Sequence, residues 1–227
     1  VVEIPQANST PKSVIIFDCD GVLFESNRLK TKAFGMVLQG AGFTDDVVHE
    51  FVTYHQMNGG ISRYVKFRRL YTDIIHQPLP VNGIDDLLSK FSAACIELYS
   101  SADFTPGCVE VLKALSSDYV LYVASGGDQN ELRSVFRQRK IDGFFESILG
   151  SPMTKSDCVK TIMDNVDAGA KCIMVGDSAS DWRAANEHGI DFVFMKTFSE
   201  DITTMSCLAS ENGFPVIEDL QQLGGLL

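Results

Sequence analysis

The stretch Val14-Ile15-Ile16-Phe17-Asp18-Cys19-Asp20-Gly21-Val22-Leu23 constrains this chain more than any other. An apolar, largely β-branched run leads directly into two carboxylates and a glycine. That pattern predicts a buried strand that ends in a polar turn. Side chains two apart on an extended chain share a side. Asp18 and Asp20 therefore converge at the carboxyl end of the strand, while Cys19 faces away. Carboxylates held this close repel, and a hard divalent cation such as Mg²⁺ relieves the repulsion because it prefers carboxylate oxygen. Gly21 permits the sharp turn that follows.

Downstream the pattern becomes helical. From Arg28 to Ser100 no strong strand signal occurs, and apolar residues recur at spacings of three and four: Leu29, Ala33, Met36 and Val37, then Ile84, Leu87, Leu88, Phe91, Cys95 and Leu98. Between these segments, Asp45–Met57 and Ile61–Ile75 read as helices separated by Asn58-Gly59-Gly60 and closed by Gln77-Pro78-Leu79-Pro80. About four helices suffice for a small bundle. After Pro106-Gly107, strands and helices alternate. Strands are expected at Tyr119–Ala124, Ser147–Leu149, Cys172–Val175, Phe192–Phe194 and Pro215–Ile217. Helices are expected over Val109–Leu115, Glu131–Arg139, the Val159–Val166 region and Ala179–Glu187. Such alternation implies a parallel sheet covered on both faces. The expected fold is an α/β, Rossmann-like parallel-sheet core from residues 1–25 and 103–227, with an inserted α-helical cap at 26–102. Val1–Lys12 reads as a flexible lead-in.

Open α/β sheets bind ligands beyond the carboxyl ends of their strands, and the chemically suggestive residues fall at such ends. Asp18 and Asp20 follow the first strand, Ser125-Gly126-Gly127 the second, Lys155 the third, and Gly176-Asp177-Ser178-Ala179-Ser180-Asp181 the fourth. Taken singly, each has a plainer use. Ser125 or Asp128 suits a helix N-cap, Lys155 a solvated surface, and Asp177 or Asp181 the cap of the helix from Ala179. Taken together and in order, the two acid pairs, the hydroxyl and the lysine make a phosphoryl-transfer site.

Asp18-Cys19-Asp20-Gly21-Val22-Leu23, followed by Ser125, Lys155 and Gly176-Asp177…Asp181, resembles the four ordered motifs of the haloacid dehalogenase-like hydrolases, over Val14 to about Phe194. The layout is similar to that superfamily's phosphatases with a helical cap, such as phosphoglycolate phosphatases and β-phosphoglucomutases. The resemblance implies that Asp18 is a nucleophile forming an aspartyl phosphate and that Asp20 is a general acid and base. It implies Mg²⁺ held by Asp18, the backbone carbonyl of Asp20 and Asp177, with Asp181 behind them orienting water or Lys155. Ser125, the Gly126 N–H and Lys155 would hold the phosphoryl group. Asp20 also separates reaction classes, because dehalogenating and phosphonate-cleaving members lack the second acid. The loop Ser151-Pro152-Met153-Thr154-Lys155-Ser156-Asp157 departs from the family pattern in having no Pro after the lysine.

In the cap, Arg28, Lys30, Lys32, Arg63, Lys66, Arg68 and Arg69 stand against few acids, and most read as solvated helix faces. Gly59-Gly60-Ile61-Ser62-Arg63 is different: it is similar to the specificity loop of β-phosphoglucomutases, where the arginine holds the substrate's non-reacting phosphate. Arg63 would then grip a phosphate or carboxylate. Those mutases carry a histidine ten residues after the second acid, where this chain has Lys30.

The function expected is Mg²⁺-dependent hydrolysis of a small phosphorylated metabolite, a sugar phosphate or phosphoglycolate-like acid. A hexose phosphomutase and a non-catalytic phosphate-binding module are the alternatives. The net charge of −11 argues against nucleic acid and anionic membranes as partners. No apolar run approaches the roughly 20 residues of a transmembrane helix, and residues 1–13 do not resemble a signal peptide. Cys19, Cys95, Cys108, Cys158, Cys172 and Cys207 form no Cys-x-x-Cys pair, which suits buried thiols in a reducing cytoplasm better than zinc or disulfides. A redox switch at Cys19 is a minor alternative. A monomer or weak homodimer is expected.

Overall fold

In the computed structural model, which describes residues 12–227, a six-stranded parallel sheet runs in the order β3-β2-β1-β4-β5-β6. The strands are β1 (Val14–Phe17), β2 (Val120–Asp128), β3 (Ser147–Ser151), β4 (Cys172–Gly176), β5 (Asp191–Met195) and β6 (Val216–Ile217). Residues 1–11 of the expected lead-in lie outside the described residues. β1 is buried along its whole length, as its unbroken apolar run requires of a central strand covered on both faces. Ile15 and Phe17, with Leu121, Val123, Val175 and Val193, join the apolar layer of helices α5 (Cys108–Leu115) and α6 (Gln129–Gln138). Val14 and Ile16, with Tyr122, Ala124, Met174 and Phe194, pack against α7 (Lys155–Met163), α8 (Ala179–Glu187) and α9 (Ile202–Asn212).

Register places the site. Phe17 pairs with Val123 of β2 on one side and with Val175 of β4 on the other. The residues that follow these three therefore emerge side by side. The chain winds outward through β2 and β3 on one side of β1 and through β4 to β6 on the other, so the strand order reverses between β1 and β4. A crevice at such a reversal is where doubly wound sheets bind ligands.

Four α-helices are inserted between β1 and α5: α1 (Asn27–Gly40), α2 (Asp45–Met57), α3 (Arg63–Arg69), which runs on as a π-turn over Leu70–Ile74, and α4 (Asp85–Ser101). Phe34, Phe51, Phe67 and Phe91 fill their centre, Phe34 stacking on Phe91 at 3.8 Å between centroids. Each such ring contributes roughly 1.5–3 kcal/mol by leaving water. The entering and leaving segments run side by side. The Glu25 N–H donates to Asp103 O at 2.9 Å and the Thr105 N–H to Leu23 O at 3.0 Å. Arg139, at the end of α6, lies over Phe104 and donates to the carbonyls of Tyr99 and Ala102 at 2.9 and 2.7 Å. Those carbonyls belong to the end of α4, where helical partners run out.

Three local readings differ from expectation. β2 continues past Ala124 through Ser125-Gly126-Gly127-Asp128. Lys155 lies in the first turn of α7, whose capping box joins Thr154 and Asp157, rather than in a loop. Helix α9 has no counterpart in the sequence reading, because it buries only Met205 and Ala209 and is otherwise rich in Thr, Ser and Asn.

Candidate active site

Asp18 begins where β1 ends; its N–H still donates to Val175 O at 2.9 Å. Asp177 follows β4 directly, so the parallel register brings the two acids together. Asp181 joins them from the first turn of α8, and single carboxylate oxygens of Asp18, Asp177 and Asp181 lie within 4.8 Å of one another. Gly21 at φ +75° turns the chain sharply, and a Cβ there would lie 2.5 Å from Asp177 Oδ2. The turn thus needs glycine both for its left-handed backbone and for the close approach of Asp177.

Lys155 is the cation at the centre. It is buried, 3.0 Å from Asp18 Oδ2, and also bonded to Asp181 Oδ1. Burial disfavours its charge, but Asp18 and Asp181 more than offset this and hold the amine above its ordinary range. Burial, then the charge of Asp181, push Asp18 up to about 7 against the pull of Lys155. Burial and Asp18 likewise push Asp177 well up. Of the three buried carboxylates, Asp18 and Asp181 pair with the Lys155 ammonium and Asp177 does not. Asp181 is committed: its Oδ2 accepts from the Ser178 N–H at 3.0 Å and hydroxyl at 2.6 Å, closing the cap of α8. Asp177 Oδ2 accepts from Asn27 Nδ2 at 2.5 Å. Asp18 Oδ1 is buried without any partner. An orphaned carboxylate oxygen beside a carboxylate excess fits a divalent cation, and the hard oxygen donors suit Mg²⁺.

Asp20 lies in a separate network. Its carboxylate accepts from Ser26 Oγ at 2.5 Å, Lys30 Nζ at 2.6 Å and Tyr99 Oη at 2.7 Å. Burial pushes its pKa up, but Lys30 and these hydrogen bonds prevail and hold it below the ordinary carboxylate value. The sequence reading treats Lys30 as a departure from the mutase pattern and as one of the cap's cations; here it is the counter-ion of Asp20. Cys19 is fully buried beneath this turn, and burial, reinforced by Asp20, pushes its thiol well up, away from the thiolate a redox switch needs.

Ser125 is fully buried within β2, and its Oγ accepts from the Gly127 N–H at 3.1 Å. It does not cap α6; Asp128 does, accepting from the Asn130 and Glu131 N–H groups. Gly126 lines the cleft between sheet and cap. The cap presses down at this point: a Cβ on Gly126 would lie 2.1 Å from the Gly60 carbonyl oxygen, and one on Gly60 would lie 2.8 Å from Lys155 Nζ.

Arg63 lines the cleft, but it is not available as an anion grip. Its Nη1 and Nη2 donate to Glu131 Oε1 and Oε2 at 2.8 and 2.7 Å, over the face of Phe91. The planar fork is filled by a carboxylate of α6, which the cap sequence gives no means of foreseeing. Arg63 therefore ties cap to core, together with Tyr64 on Asp128 at 3.1 Å and Thr31 on Glu200 at 2.8 Å. The solvated reading of the cap's cations also needs correction. Arg28, Lys32, Arg68 and Arg69 are exposed, but Lys30, Arg63 and Lys66 are buried. Asn27, His55 and Tyr99 are site residues that no motif signals.

A family model described as haloacid dehalogenase-like hydrolase matches residues 12–189. No curated protein matches the chain. Among solved structures, a hydrolase from Pseudomonas syringae is 20% identical, with a TM-score of 0.74 over 95% of this chain and 97% of its own. A predicted phosphoglycolate phosphatase from Haemophilus somnus 129pt is 18% identical, with a TM-score of 0.73 over 95% of this chain and 97% of its own. The HAD-hydrolase YfnB from Bacillus subtilis, solved bound to magnesium, is 15% identical, with a TM-score of 0.67 over 96% of this chain and 99% of its own. At these identities the likeness establishes the shared fold. Among the described residues, no helix is long and apolar enough to cross a membrane.

Proposed function

The chain belongs to the haloacid dehalogenase-like hydrolases, and on that premise we propose that it is a Mg²⁺-dependent phosphatase of a small phosphomonoester, working through a phosphoryl group carried on Asp18. The observation that carries this reading is the unpartnered, buried Oδ1 of Asp18 among three clustered acids, two of them paired with Lys155. Asp18, the Asp20 carbonyl and Asp177 would hold Mg²⁺, which when bound neutralises charge on the phosphoryl oxygens and lowers the repulsion of an attacking carboxylate. The magnesium-bound relative and the relative described as a predicted phosphoglycolate phosphatase support the same reading.

Asp18 attacks phosphorus and the substrate's alkoxide leaves. Lys155, fixed by Asp181, offsets charge on the nucleophile and the phosphoryl group; the Ser125 hydroxyl and the Gly126 N–H receive phosphoryl oxygens. Asp20 protonates the leaving oxygen and then takes a proton from the water that releases phosphate. In the closed arrangement Asp20 is ionised and paired with Lys30, the form suited to the second half of the cycle. Lys30 belongs to α1, so the position of the cap sets the charge that faces Asp20.

The phosphomutase alternative shares the aspartyl phosphate. A lysine in the place of the mutase histidine weighs against it. A panel of phosphomonoesters assayed with and without Mg²⁺ tests the proposal. Free phosphate accumulating in step with substrate loss supports hydrolysis; isomerised sugar phosphate without free phosphate would favour the mutase. No turnover of any ester would leave only a binding module.

A further inference from the structure

The cleft holds several buried cations, and all but one are matched. Lys155 faces Asp18 and Asp181, Lys30 faces Asp20, and Arg63 faces Glu131. Lys66 is the exception. It is 2% exposed, it lines the cleft, and its hydrogen-bond partners among the described residues are the Nδ1 and carbonyl of His55, at 2.5 and 3.5 Å. No carboxylate among the described residues forms an ion pair with it; Glu200 and Asp20 act on its charge only from beyond ion-pair distance. A buried ammonium without a counter-ion is costly. Burial and the nearby charge of Lys30 push Lys66 down to about 7.

His55 carries a second mismatch. Its Nε2 is buried without a partner. Burial and Lys66 hold its imidazole well below its ordinary pKa, so the ring is neutral. With Nδ1 accepting from Lys66, the ring proton resides on Nε2, which is then a donor with no acceptor. Two adjacent cap side chains thus offer donors that no carboxylate among the described residues contacts. The neighbouring wall is apolar, made of Phe34 stacked on Phe91.

We propose that Lys66, oriented by His55, is the anchor for a carboxylate at the non-reacting end of the substrate, so that the substrate is a short phosphorylated acid. This deepens the phosphatase reading and rests on it. The reacting phosphoryl group lies at Asp18 on the sheet, and the carboxylate lies on the cap at Lys66. The cap meets the core closely at Gly60 and Gly126, which keeps the tail between Asp18 and Lys66 short. The ligand supplies the missing counter-ion, so substrates with neutral tails leave the Lys66 mismatch in place.

The test reads binding without turnover. Phosphonopropionate and its neutral amide have equal length and a carbon in place of the scissile oxygen. Each is titrated calorimetrically into the full chain with Mg²⁺ present. The wild type should bind the acid about 10- to 100-fold more tightly, the scale of one charge-assisted contact in a desolvated site. Lys66→Met, which keeps the buried stem, should bind both ligands alike, with the affinity the wild type shows for the amide. Equal affinities in the wild type overturn the proposal, whether or not the variant folds. So does a preference that survives in a folded Lys66→Met chain. Preferential binding of the acid without phosphate release from the matching ester would overturn the hydrolase reading and uphold the subsite. Hydrolysis with equal affinities would do the reverse.

Discussion

Replacing Arg63 with Met separates the two roles open to this residue. The substitution keeps an apolar stem over Phe91 and removes both hydrogen bonds to Glu131. Losing one partner of a buried ion pair costs about 3–5 kcal/mol, because the other charge is stranded. Glu131 keeps its contact to Ser92, and its side chain is 13% exposed, so the lower end applies. The contact joins cap to core, so a loss of about 3 kcal/mol falls on the closed state. At 1.4 kcal/mol per decade, closure becomes about 10²-fold less favourable. Every substrate needs closure, so kcat/KM should fall by a similar factor for a phosphorylated acid and for a short alkyl phosphate alike. Glu131→Gln should reproduce much of the effect. The assay is kcat/KM for both esters in both variants, alongside the wild type. A loss confined to the acid would refute this reasoning and restore Arg63 as an anion grip; no loss with either ester would mean that the tie does not support closure.

Asp177→Asn should lower activity mainly through the metal, so raising Mg²⁺ should restore part of it, whereas Asp18→Asn should stay inactive at any concentration; metal titrations of both variants decide this. Asp20→Asn should slow turnover by about 10²–10⁴-fold, with a smaller loss for esters of acidic leaving groups such as nitrophenol; equal losses for all leaving groups would remove Asp20 from the acid role. Lys66 titrates at about 7 in the fold against 10.5 ordinarily, so the unfolded chain binds more protons between those values and stability should rise with pH across that window. Lys66→Met should remove this rise, read as the wild-type-minus-variant difference in denaturant midpoint near pH 7 and near pH 9.5; a difference that does not change with pH would contradict the unpaired state of Lys66.

What the sequence reveals divides along physical lines. The apolar run into Asp18, and the strand before Asp177, are read correctly because a parallel sheet buries its strands and exposes only their carboxyl ends. Helix α2 is likewise legible as Asp45–Met57 from its spacing and from the break at Asn58-Gly59-Gly60. Helix α9 is hidden because it buries so little that it leaves no apolar period. The cations of the cap are misread because charge alone does not say which face of a helix is covered. Lys30 and Lys66 are buried only because the cap folds back on the sheet, and Arg63 meets Glu131 across 68 residues of sequence. Those partners depend on the placement of one helix group on another, which local pattern does not encode.

The central claim is that Asp18 carries the phosphoryl group. Borohydride reduces an aspartyl phosphate to homoserine and leaves free carboxylates untouched. The chain should be mixed with Mg²⁺ and a hydrolysable phosphorylated acid, quenched during turnover, reduced, and digested for mass spectrometry. The account predicts homoserine in place of Asp18, dependent on substrate and absent from the Asp18→Asn chain. Steady release of phosphate with Asp18 unreduced in every quenched sample would contradict it.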